Sequence, residues 1–115
     1  MKGVEPRVMR RALEYVKAFG GVVSQHAQDP HLAGPQACAH EGELSGRLGL
    51  PGWPGIAEEV IVARDVMLAA LTGGHVHIAH MSARQSIRAV RAFAISWSSL
   101  VGAEGLAGKG REIAA

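Results

Sequence analysis

Aromatic side chains are scarce in this chain: two tryptophans, two phenylalanines and one tyrosine make up 4% of its 115 residues. A core must therefore be built from aliphatic residues, and hydrophobic residues, at 48%, are numerous enough to supply one. Cys38 is the single cysteine, which excludes an internal disulfide and suits a reducing cytosol. No apolar run reaches the ~18 residues of a spanning helix. The N-terminus is charged within its first turn and lacks the apolar stretch of a secretory signal. An excess of one charge sign is missing too. Lys+Arg number 12 and Asp+Glu 10, a formal net charge of +2, and no block of five or six like charges occurs. These absences predict a cytoplasmic protein that engages neither membrane nor nucleic acid.

What is present reads as alternating helices and strands. Residues 6–19 carry Met9, Ala12, Leu13 and Val16 at helical spacing, with Arg10, Arg11, Glu14 and Lys17 elsewhere on the surface. Pro6 suits a first helical turn, and Gly20-Gly21 stops the helix. Val22–Gln25 then read as a short strand. Residues 27–53 form a long loop punctuated by Asp29-Pro30, Gly34-Pro35 and Pro51-Gly52, with a short helical piece around residues 39–48. Residues 54–71 give the best helix. Ile56, Val60, Ala63, Met67 and Leu71 form its apolar stripe, widened by Ile61 and Leu68, while Glu58 and Glu59 suit the dipole at its N-terminal end. After Gly73-Gly74 comes a strand, His75–Ala79. Ser82 is then a candidate N-cap for a third helix running to about Phe93. The order α-β-α-β-α implies parallel strands joined by right-handed crossovers. Residues 94–115 have no clear period and are broken by Gly102, Gly105, Gly108 and Gly110.

Each of the two strands ends in a histidine, His26 and His80, and a helix-like segment follows. In a parallel β/α barrel the C-terminal strand ends face the active site. Two neutral imidazoles delivered there on rigid elements are suited to a catalytic metal. The competing reading is two polar strand ends satisfied by backbone carbonyls, which is the commoner fate of a lone histidine. Alternation along the strand places His80 with Val76 and Ile78, and His26 with Ser24 and Val22. By the same rule His77 points away from His80 and packs between sheet and helix. His75 marks the strand entrance, His31 is solvated, and His40-Glu41-Gly42 is a polar cluster in the long loop best read as surface. Arg84, Arg88 and Arg91 share one helix face, most simply a solvated one. Neither glycine pair opens a dinucleotide or P-loop motif, and no G-x-S-x-G elbow exists.

Several stretches together resemble the bacterial dihydroorotases, cyclic amidohydrolases of pyrimidine synthesis. They are Met9-Arg10-Arg11-Ala12-Leu13-Glu14-Tyr15, His26-Ala27-Gln28-Asp29, His40-Glu41-Gly42 followed by Leu48-Gly49-Leu50-Pro51-Gly52, Ile61-Val62-Ala63-Arg64-Asp65-Val66, and His77-Ile78-Ala79-His80-Met81-Ser82. The resemblance covers roughly two-thirds of the chain. It implies an α/β fold, a partial (β/α) TIM-barrel fragment of about two parallel strands with three helices. It implies one or two zinc ions in the full-length family, with His26 and His80 matching metal ligands at the ends of the fifth and sixth strands. It also implies zinc-dependent hydrolysis of the cyclic amide of dihydroorotate, a small-molecule substrate.

The chain departs from that pattern in what it lacks. The first-strand His-x-His, the bridging ligand of the fourth strand and the proton-shuttling aspartate of the eighth are absent, so no catalytic residue is assigned within it. Gln28 stands where many relatives are acidic. Residues 1–93 read as a central segment of such a barrel, and 94–115 as a divergent tail, either disordered or produced by a shifted reading frame. The expectation is an inactive fragment whose open sheet edges promote self-association or aggregation. The competing readings are a non-catalytic dihydroorotase-like assembly partner and a hydantoinase- or allantoinase-type enzyme.

Overall fold

The computed structural model describes residues 4–100, with side chains described as far as Phe93. Helix α1 (Pro6–Lys17) leads into strand β1 (Val22–Gln25). Then come the single turn α2 (Pro30–Ala33), β2 (Ala39–His40), α3 (Glu43–Leu48) and β3 (Gly52–Trp53). The long helix α4 (Ile56–Thr72), strand β4 (His75–Ile78) and helix α5 (Arg84–Leu100) complete the order.

β1 and β4 pair in parallel, with Val22 opposite His75, Val23 opposite Val76, Ser24 opposite His77 and Gln25 opposite Ile78. Helices α1 and α4 pack on one face of this pair, and α5 packs on α4. An α/β fragment with parallel strands is therefore what the sequence makes. Its core lies between sheet and helices in two adjoining clusters. Met9, Leu13 and Val76 form one, with Val23 and Leu68 against it. Ala27, Ile61, Val62, Val66 and Val90 form the other, with Met81 and Phe93. Full burial of a side chain such as Leu13 contributes about 1.5–3 kcal/mol. At Gly74 an added Cβ would lie 2.8 Å from the Leu13 carbonyl oxygen, so a bare backbone is what lets β4 start against α1.

Three sequence expectations are corrected. The main stripe on α4 runs along the wrong face: Ile56, Val60, Met67 and Leu71 are exposed, Leu71 at 64%, and only its widening residues Ile61 and Leu68 meet the core. The buried face is Ala57, Glu58, Ile61, Val62, Asp65 and Val66. A helix apolar on nearly every side gives periodicity little to choose between, and here the sheet takes the side that carries two carboxylates. His77 is exposed rather than packed under a helix, and it is Val76 that is buried. The parity fails because the strand ends at Ile78 and the chain turns before His80. Ser82 does not cap α5, which starts at Arg84; its hydroxyl donates to Glu58 across 2.7 Å.

The long loop is more ordered than its composition indicates. Asp29 caps α2 by accepting from the His31 and Leu32 N–H groups at 2.8 and 3.0 Å. β2 and β3 form a second, two-residue parallel ladder, Ala39 with Gly52 and His40 with Trp53. Strands this short leave no alternation to read. α5 continues through Leu100, past the expected end near Phe93. Residues 101–115 of the tail lie outside the described residues.

Candidate metal centre

The two strand-end histidines meet. His26 Nδ1 lies 2.9 Å from His80 Nε2, and the rings stand edge to face at 66° with centroids 4.6 Å apart. Both side chains are exposed, on the side of the sheet away from the helices. His26 follows directly from β1, where Val22 and Ser24 already face that side. His80 reaches it through a turn: its φ is 35°, the one positive φ at a non-glycine among the described residues. Such a conformation costs of order 1–3 kcal/mol and persists only where its surroundings enforce it.

Hydrogen bonding fixes the proton arrangement. His26 Nε2 lies 3.2 Å from the Gln28 side-chain oxygen. An amide oxygen only accepts, so a neutral His26 carries its proton on Nε2 and offers a lone pair at Nδ1. His80 then donates from Nε2 to that lone pair. One proton sits between two nitrogens that could both be ligands. His77 lies on the same open side, opposite Ser24 in the ladder, but no bond joins it to the pair.

Two donor atoms at 2.9 Å fit a shared ion well. A tetrahedral zinc with Zn–N bonds of about 2 Å holds its nitrogens about 3.3 Å apart, so a small parting of the rings would admit it. The set stops at two: among the described residues no group of three or more His, Cys, Asp or Glu could hold a metal. His31 and His40 belong to the loop and its minor ladder, and Cys38 is exposed with its thiol 3.7 Å from the Pro51 carbonyl.

Three buried polar residues, whose roles the sequence did not reveal, stand behind the pair. Gln25 is 2% exposed and donates from its amide to Asp65 at 3.0 Å, while its backbone carbonyl accepts from the Ala79 N–H at 3.0 Å. Asp65 is fully buried, and Arg64 pairs with it at 2.7 Å. Burial raises the Asp65 pKa above the usual aspartate range, and the Arg64 and Gln25 contacts only partly oppose this. Glu58 accepts from the Ser82 N–H and hydroxyl and from the Ala83 N–H at 2.9 Å. Burial acts to raise its pKa too, but the Ser82 and Ala83 donors outweigh burial and leave it lowered. The Ser86 hydroxyl adds to that pull without making a full hydrogen bond. The spacing of Glu58 and Asp65, seven residues and so two helical turns, was the available signal that both occupy one face of α4.

A family model described as Dihydro-orotase-like matches residues 4–86. The chain is 56% identical over 88 residues to a dihydroorotase of Leifsonia xyli, covering 76% of this chain and 20% of that protein. It is 57% identical over 84 residues to the dihydroorotase of Streptomyces coelicolor, covering 73% of this chain and 19% of that one. The Mycobacterium tuberculosis dihydroorotase is 49% identical over 87 residues, covering 76% of this chain and 20% of its own length. The chain thus spans about a fifth of the relatives it matches. With a family model that spans both strand-end histidines and the helix between them, and about half of the aligned residues identical to these enzymes, the chain belongs to the dihydroorotase-like family.

Proposed function

We propose that this chain is a central segment of a zinc-dependent cyclic amidohydrolase that opens the ring amide of dihydroorotate in pyrimidine biosynthesis. The observation that carries the reading is the convergence of His26 and His80 at 2.9 Å on the open side of a parallel sheet. The relatives' shared description as dihydroorotases favours dihydroorotate over hydantoin or allantoin as substrate. The parallel pair with helices on one face suits a slice of a (β/α) barrel, with residues 1–93 as the barrel segment. The family match ends at residue 86, which supports reading 94–115 as a divergent tail. Comparing the coding DNA in all three frames tests whether a shifted frame produced it.

His26 and His80 would hold zinc through Nδ1 and Nε2. Bound zinc would supply an acidified water and a polarised amide carbonyl. The chain's own part is to hold two ring nitrogens, with one proton between them, at a fixed spacing and, through Gln28, to keep the His26 proton on the far nitrogen. Catalytic zinc generally has three protein ligands, so two histidines leave the site one ligand short, and the fragment is read as inactive by itself. Among the described residues no helix is long and apolar enough to cross a membrane, and a cytoplasmic location is part of this proposal. Equilibrium dialysis with zinc is the test. Wild type should bind one ion that both His26→Ala and His80→Ala lose. Equal binding by wild type and His80→Ala would remove the reading.

A further inference from the structure

The parallel ladder that holds β1 beside β4 runs only to Gln25 and Ile78, one and two residues short of the two histidines. What lies behind each end is a carboxylate of α4. Asp65 bonds the Gln25 amide, in the residue that precedes His26. Glu58 bonds two backbone N–H groups and one hydroxyl at Ser82 and Ala83, two and three residues after His80. Both carboxylates are on the buried face of one rigid helix, at 0% and 3% exposure. The same helix start also takes the Asp29 N–H on the Ala57 carbonyl at 2.8 Å, fixing the chain beyond His26.

We infer that Glu58 is a positioning residue for the histidine pair, with Asp65 as its counterpart on the other strand, so that α4 sets the spacing of the two rings. The His80 backbone supports this. Its left-handed φ of 35° has to be imposed from both sides. On one side the Ala79 N–H is held by the Gln25 carbonyl. On the other, the Glu58 carboxylate holds Ser82 and Ala83. Both oxygens of that carboxylate are engaged, and a charged acceptor with several donors makes a stiff, directional anchor. A carboxylate that receives three donors from one turn fixes the path of that turn.

The inference deepens the proposed zinc reading, but its geometric part stands without the metal. Nuclear magnetic resonance on the metal-free 115-residue chain reads the ring-to-ring cross-peaks of His26 and His80. Competition with a chromophoric chelator reads zinc affinity. Glu58→Gln keeps the shape but presents an amide NH2 to donors that need an acceptor. It should lose the ring cross-peaks and about 10–100-fold in zinc affinity, with helix content unchanged. Glu59→Gln, next to it on the helix, should behave as wild type. Unchanged cross-peaks and affinity in Glu58→Gln overturn the inference. Should that variant not fold, Ser82→Ala removes only the 2.7 Å hydroxyl contact. Weakened cross-peaks in Ser82→Ala support the anchor, and intact ones overturn it. A wild type that shows the cross-peaks but binds no zinc refutes the metal reading while the positioning comparison still stands.

Discussion

Gln25 and Asp65, forty residues apart in the chain, meet at 3.0 Å in a place closed to solvent. Arg64 completes the set by contacting Asp65 at 2.7 Å and the Val4 carbonyl at 2.6 Å. Removing one partner strands the others. Asp65→Ala should cost about 3–5 kcal/mol in urea unfolding, because it leaves a partly buried guanidinium without its counter-ion. A loss below about 1 kcal/mol would show that solvent reaches this network.

The corrected face of α4 has a direct test. Leu13→Ala, in the core, should lose about 2–5 kcal/mol. Leu71→Ala should stay within about 0.5 kcal/mol of wild type, as substitutions on exposed surface do. Comparable losses from both would return Leu71 to the core and reinstate the stripe read from periodicity.

Backbone fit should separate two glycines. Gly74→Ala sets a Cβ 2.8 Å from the Leu13 carbonyl oxygen and should destabilise by about 1–3 kcal/mol. Gly46, inside α3, has open space at its Cβ position. Gly46→Ala should stabilise by about 0.4–1 kcal/mol. Thermal melts of the two variants should therefore move in opposite directions.

The carboxylates of α4 respond to acid with opposite sign. The folded pKa of Glu58 is depressed, so its contribution is full above the ordinary glutamate value of about 4.3 and is lost as pH falls through the lower folded value. The Asp65 pKa is raised, so its contribution is full below the ordinary aspartate value of about 3.9 and is lost as pH rises through the raised one. Glu58→Gln should flatten the acid limb of the stability profile and Asp65→Asn should steepen it. Urea melts from about pH 3 to about pH 7 measure both slopes. Parallel slopes in wild type and Glu58→Gln would contradict the assignment.

The chain alone should not turn over dihydroorotate, even with zinc, because two histidines leave the ligand set short. Turnover clearly above a His80→Ala control would refute this. It should also associate: β1 and β4 form a two-stranded sheet with a free edge on each strand among the described residues, and Val22 is 58% exposed on the open face. Open edges recruit further strands. A single compact species in sedimentation would count against it.

Much of this architecture could be read from residues. β1 matches its expected span, and β4 and α4 do so within two residues, because glycine pairs and hydrophobic runs mark such elements locally. The convergence of His26 and His80 was legible for the same reason, as His26 follows β1 directly and His80 comes two residues after β4, although His80 reaches the open side through a turn and not through the alternation that grouped it with the buried Val76. What escaped depends on contacts distant in sequence. The face of α4 is decided by Gln25 and Ser82, which receive its carboxylates. The orientation of His77 is decided by where β4 gives way to a turn. The β2–β3 ladder is too short to carry a pattern.

The register of β1 against β4 has a kinetic side. His26 and His80 are 54 residues apart, and a parallel pairing of that span must close a large loop before any ladder bond repays the lost entropy. Helices α1 and α4 can form from local contacts well before this happens. The ring pair is then among the last features to assemble, and the imidazole cross-peaks double as a clock: their appearance during refolding marks closure of the crossover, later than the helical signal.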